Sequence, residues 1–138
     1  MRRLSIAKGP DWLLWSLALL LTVAVSGCGG SELGLVDVSG SVTLDGNQVQ
    51  VQNLEFVPKA GGRPSTGIFD EQGQYRLVYS PQYIGALAGD HKIVIEVAGA
   101  VSQELTGKKG QVTLTKELKV DRSNRVIDCE LREFEIRK

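Results

Sequence analysis

The chain has 138 residues, 16 basic and 16 acidic side chains, one histidine and no net formal charge. Nucleic-acid binding relies on phosphate neutralisation by clustered Lys and Arg; no such cluster occurs, so a nucleic acid is excluded as a partner. His91, Cys28 and Cys129 make no credible metal or cofactor set, since such sites need three or four clustered ligands.

The first element follows a basic start, Arg2, Arg3 and Lys8. Residues 12–25 carry no charge and are 14 in number, which suits the apolar core of a secretory signal and falls short of the roughly 20 residues of a membrane-crossing helix. The run closes in Val25-Ser26-Gly27-Cys28. This box resembles the signal of bacterial lipoproteins, with an aliphatic residue three before the cysteine and two small residues that let a peptidase reach the backbone. The resemblance implies a signal helix over residues 1–27, cleavage between Gly27 and Cys28, a diacylglycerol on the Cys28 thiol and an acyl chain such as palmitate on the new amine. Two or more acyl chains hold a protein stably on a membrane, at about 0.8 kcal/mol per buried methylene. Ala24-Val25-Ser26 also offers an ordinary secretory cleavage site, and an uncleaved span extended through Gly27 to Gly30 is a further alternative. Gly29 lacks the aspartate that retains lipoproteins in the inner membrane of enteric bacteria, so either the cell membrane or the outer membrane suits the anchor, with the protein facing the periplasm or the exterior.

On that reading the exported chain is residues 28–138, 111 residues with 13 basic and 15 acidic side chains. A domain of about 100 residues buries about 65% of its extended-chain surface and folds without staples. With Cys28 lipidated, Cys129 has no disulfide partner. It shares a strand face with Ile127 and Leu131, which makes it a small buried hydrophobe. Residues 28–35 are small and polar and read as a flexible tether, followed by one domain over 36–138.

From Val36 the pattern is short alternating runs between turn signals, which predicts an all-β domain. Val36, Val38, Val42 and Leu44 alternate up to the tight turn Asp45-Gly46. A second run, residues 49–57, ends at Pro58, and its alternation slips between Val51 and Leu54, as a bulge would make it. Residues 65–69 form a short strand, residues 70–73 a turn, and Tyr75, Leu77 and Tyr79 share a face of the next strand. Residues 80–90 read as an irregular crossing between sheets. Ile93, Ile95 and Val97 mark a central strand. Residues 99–110 show neither period and read as a loop. Val112, Leu114, Leu118 and Val120 share a face with Lys116, as on an edge strand guarded by a lysine. The last strand changes phase near Glu133, with Phe134 and Ile136 on its apolar face. The sum is a seven-stranded antiparallel Greek-key β-sandwich with no helix after the signal.

Residues 38–46 (VSGSVTLDG), Phe56-Val57-Pro58, residues 63–67 (RPSTG), Asp70, residues 73–77 (GQYRL) and residues 86–93 (ALAGDHKI) resemble the transthyretin-like or carboxypeptidase-regulatory-like domains of small lipoproteins of the planctomycete type. The likeness spans roughly residues 36–98. It implies a transthyretin-like or Ig-like sandwich, and most such lipoproteins have no assigned activity. One transthyretin-like branch hydrolyses 5-hydroxyisourate with several histidines and arginines and a C-terminal Tyr-Arg-Gly-Ser; this chain has one histidine and ends Glu135-Ile136-Arg137-Lys138, so the resemblance does not carry that activity.

The remaining polar features have plain readings. His91, at a strand start, reads as a hydrogen-bonded surface or boundary histidine. Residues 70–73 lack the spacing of a calcium loop. Tyr79 and Tyr83 flank Pro81 and offer either core packing or an aromatic patch for a glycan or peptide. No nucleophile elbow or phosphate loop occurs. The sequence therefore predicts a non-catalytic structural or protein-interaction module of the cell envelope. Its partners are membrane lipid through Cys28 and envelope proteins, the alternative being a glycan- or small-ligand-binding module.

Overall fold

A computed structural model describes residues 34–137. The expected signal helix, Gly27, Cys28 and residues 28–33 of the expected tether lie outside the described residues. The chain then forms strands β1 (Leu35–Val36), β2 (Ser39–Leu44), β3 (Asn47–Gln48), β4 (Asn53–Pro58), β5 (Ser65–Phe69), β6 (Gln74–Ser80), β7 (Tyr83–Ile84), β8 (Ala86–Leu87) and β9 (Gly89–Val97). Helix α1 (Gly99–Thr106), β10 (Val112–Val120), β11 (Cys129–Glu130), a 3-10 turn (Leu131–Glu133) and β12 (Glu135–Ile136) follow. The described residues are all-β in character, with one short helix.

One sheet dominates, in the order β11-β2-β6-β5-β4-β9-β10-β12, with β3 beside β2 and β7 beside β6; β1 and β8 form a separate pair. The strands meet antiparallel except β11, which runs parallel to β2. The sheet curls into a half-barrel. Its inner face carries Val38, Val42, Leu54, Phe56, Tyr75, Leu77, Ile93, Ile95 and Leu114, all buried. On this inner face side chains meet over β5: the Phe56 ring on β4 lies 6.3 Å from that of Tyr75 on β6.

Several expected elements hold. Asp45 (φ 54°) and Gly46 (φ 81°) both have positive φ, the geometry of a two-residue hairpin turn, and they set Thr43 opposite Gln48. The Asp70 carboxylate accepts hydrogen bonds from the Gln72 and Gln74 N–H groups, both at 2.9 Å. β9 is central, flanked by β4 and β10.

Other expectations are corrected. The slip between Val51 and Leu54 is a change of neighbour, not a bulge: Val49 N–H still bonds the Val42 carbonyl at 3.1 Å, while Gln52 N–H bonds that of Glu96 at 2.8 Å. Residues 80–90 are no irregular crossing, because β7 pairs with β6 and β8 with β1. Leu35, expected in the tether, pairs with Leu87. Residues 99–106 are helical. Val101 and Leu105, one helical turn apart, pack on the core, Ser102 Oγ bonds the Lys108 carbonyl at 3.0 Å, and left-handed Gly107 caps the end. The final strand is broken in two by the 3-10 turn. Ile136 is therefore exposed on β12, beside Leu114, and only Phe134 turns inward.

This broken segment joins the two ends of the sheet. β11 lies on β2 at one margin, and five residues later β12 lies on β10 at the other. Side chains alternate along it: Ile127, Cys129 and Leu131 are buried, while Asp128, Glu130 and Arg132 reach outward to β2 and its turn. Beyond Thr115 the outer margin of β10 has no partner strand among the described residues. Lys116 there bonds Glu133 at 2.6 Å and lies 5.7 Å from the centre of the Phe134 ring, so the guarding lysine of the sequence sits on an open edge.

Candidate interaction surface

The chain's one imidazole is in the core. β9 starts at Gly89, so His91 falls in the inward frame with Ile93, Ile95 and Val97 and is 1% exposed. This corrects the surface or boundary position expected from sequence. Its Nδ1 is 3.0 Å from the Gly89 carbonyl oxygen, its ring lies 6.1 Å from that of Phe56, and its Nε2 meets no hydrogen-bond partner among the described residues. Alternation counted back from Ile93 was the signal for this placement, masked by a polar residue type.

Cys129 is buried as expected. Burial pushes its thiol up to about 11, against a smaller opposing effect from the Tyr75 hydroxyl 4.0 Å away. It is therefore protonated at neutral pH and a poor nucleophile. The Tyr75 hydroxyl donates to the Ile127 carbonyl, and burial raises its own pKa. These groups hold the closing segment down.

The outward side chains of that segment form a second cluster. Glu130 accepts hydrogen bonds from the Thr43 hydroxyl at 2.8 Å and from the Asp45 and Gly46 N–H groups at 2.9 and 3.2 Å. Arg132 grips Asp45 with two contacts of 3.1 and 3.0 Å. Burial alone would raise the Glu130 pKa, but the donors together hold it below its ordinary value. The Arg132 hydrogen bond does the same for Asp45, and the Arg76 hydrogen bond for Asp37. Groups with depressed folded pKa values contribute stability that is present above their unfolded pKa and lost as pH falls through the folded one. The expected result is a melting temperature that is level near neutrality and falls steadily below about pH 4. Glu130→Gln should start lower and fall less steeply; an unchanged acid slope would contradict the role given to this carboxylate.

A cleft of about 460 Å³ is lined by Lys92, Thr115, Lys116, Glu117, Glu133 and Glu135. Its charges are largely spent on neighbours, with Lys116 on Glu133 and Lys59 on Glu117 at 2.7 Å. It offers no one-signed charge set for a ligand.

The remaining surface of note lies at the end of the half-barrel where the described chain begins. Val36 pairs with Ala86, and a Cβ on Gly85 would stand 2.5 Å from the Val36 carbonyl oxygen. Gly85 is thus held close to β1, and β7 is the two residues before it. Tyr83 and Ile84 on β7 are 47% and 48% exposed. Ile84 is opposite Val78, which is opposite Thr66, so the three share the outer face, with exposed Ile68 in the adjoining row beside Arg76. Tyr79 is half-buried and Tyr83 is solvent-facing; the expected aromatic pair is divided between core margin and surface.

No family model, curated protein or solved structure matches this chain. Among the described residues no helix is long and apolar enough to cross a membrane, and no three His, Cys, Asp or Glu side chains come together as a metal site.

Proposed function

We propose that the protein is a lipid-anchored extracytoplasmic lipoprotein whose β domain is a non-catalytic structural or protein-interaction module of the cell envelope. The observation that carries this reading is Val25-Ser26-Gly27-Cys28 behind an uncharged run of 14 residues with a basic start. In support, the domain's one imidazole and one thiol are spent in the core, while its exposed features are an open edge on β10 and the apolar surface around Tyr83. An open edge accepts an added strand, and loops at one end of a β domain are a common binding face. Kinship with transthyretin-like Greek-key sandwiches belongs to the same proposal. Its support is the runs of turn and core residues between 38 and 93, which in the structure fall on β2, β4, β5, β6, β8 and the start of β9.

The test is intact-mass spectrometry of the full chain purified from membranes of a bacterium that processes lipoproteins, beside Cys28→Ala. The expected mass is residues 28–138 plus a diacylglycerol and an acyl chain, with Cys28→Ala uncut and free of lipid. An unmodified mature chain in the soluble fraction would overturn the anchor.

A further inference from the structure

Resting on the lipid-anchor reading, we propose that the end of the domain around Tyr83 and Ile84 docks on the surface of the bilayer that holds Cys28. The first ground is reach. Only seven peptide steps separate Cys28 from Leu35, and such a chain spans at most about 25 Å fully extended, or about 15 Å root-mean-square as a random coil. A compact domain of this size has a radius of gyration of about 13 Å, so the face beside β1 is held close to the lipid. A short link gives an effective concentration on the order of millimolar, and under that condition a weak surface suffices.

The second ground is what surrounds the attachment point. Tyr83 and Ile84 adjoin β1 through Gly85, and both are nearly half exposed. A tyrosine ring, with an apolar body and a polar tip, is favoured at a membrane–water interface, and exposed Ile84 adds apolar area at the same margin. Leu87 joins them, pairing with Leu35 and lying under the loop at Gly62.

The third ground is charge. Strand register puts Pro58, Gly89 and Val120 at this same end, with Pro58 opposite His91 and Val120 opposite Gly89. The adjoining turns bring Arg63, Lys119, Arg122 and Arg125 to it, against Asp90 and Asp121, while Lys59 is paired with Glu117 and Asp37 with Arg76. The other end, where the Asp45-Gly46 turn, the Asp70–Gly73 turn and α1 lie, carries Asp70, Glu71 and Glu104 against Lys108 and Lys109, while Asp45 is paired with Arg132. A domain from an exported chain with more acidic than basic groups thus turns its basic end toward the anchor, as attraction to anionic headgroups requires.

Both native tryptophans, Trp12 and Trp15, precede Cys28, so processing leaves a chain free of indole and Tyr83→Trp a single reporter. The full-length variant is produced with lipidation and reconstituted in vesicles of phosphatidylethanolamine and phosphatidylglycerol, with and without lipids brominated near the headgroup end of the acyl chain. The expected result is blue-shifted emission, most of it lost in brominated vesicles, with less loss at high salt. Glu71→Trp, at the opposite end, should stay unquenched, and Ile84→Asp added to Tyr83→Trp should restore the emission. The intact mass of the same preparation separates the two levels of inference. An acylated Tyr83→Trp chain whose indole emission is solvent-like and unquenched overturns the docking and leaves the anchor. Blue-shifted but unquenched emission means that protein covers the patch, which also overturns it. An unacylated chain overturns both.

Discussion

Gly40→Ala is expected to unfasten the segment that joins the two margins of the sheet. A Cβ at this position would stand 2.0 Å from the Ile127 carbonyl oxygen and 2.7 Å from its carbon, so the methyl meets backbone rather than a side chain that can rotate aside. The Ile127 backbone has little freedom to retreat, since its N–H donates to the Ser39 carbonyl at 2.8 Å and its carbonyl receives the Tyr75 hydroxyl. Moving it breaks both bonds and strands a buried hydroxyl. Overpacking and an unsatisfied buried group each cost about 1–3 kcal/mol. The expected loss is therefore about 3 kcal/mol or more, and on a domain of this size about 10–25 °C in melting temperature. Thermal and urea unfolding measure it, and a second readout locates the damage: Cys129, shielded in the native fold, should react with a thiol reagent several-fold faster. A loss under about 1 kcal/mol with Cys129 still protected would mean that the close approach of β2 to residue 127 is not part of the fold's stability.

What the sequence made legible follows from how local each determinant is. β9 was readable because Ile93, Ile95 and Val97 alternate without interruption, and the Asp45-Gly46 turn because positive φ at two successive positions selects those residue types. The helix at Gly99–Thr106 was hidden because only Val101 and Leu105 mark its inner side, too few to establish a period. Between Val51 and Leu54 the alternation truly breaks, but sequence does not say whether a break is a bulge or a change of partner strand. The closing segment was harder still. Its phase change at Glu133 was visible, whereas the parallel seat of β11 on β2 depends on residues far away in the chain, as the Glu130 hydrogen bonds to Thr43 and Asp45 do. Cys28 stood out as a motif, while Ile84 and Ile93 are the same residue type and only the fold makes one surface and the other core.

The curl of the sheet turns this into an energetic argument. A sheet whose margins are joined by a short segment needs its interior filled, and Phe56 fills the centre. It is fully buried on β4, opposite Ser65 and Ile93, with the rings of Tyr75 and His91 at 6.3 and 6.1 Å. Tyr75 holds the closing segment through the Ile127 carbonyl, so Phe56 supports that contact from behind. Removing the ring costs the transfer of its apolar surface and the cavity left behind, about 3–5 kcal/mol for a buried Phe→Ala. Domains of this length have about 5–15 kcal/mol in all, so Phe56→Ala should melt about 15–30 °C lower and expose Cys129 to thiol reagents at temperatures where the parent is inert. Phe56→Leu, which keeps most of the volume, should lose a smaller share. The ordering of these two variants, measured by urea unfolding with a common slope, distinguishes a central packing role from a peripheral one. Equal and small losses for both would show that this ring is peripheral to the packing of the inner face.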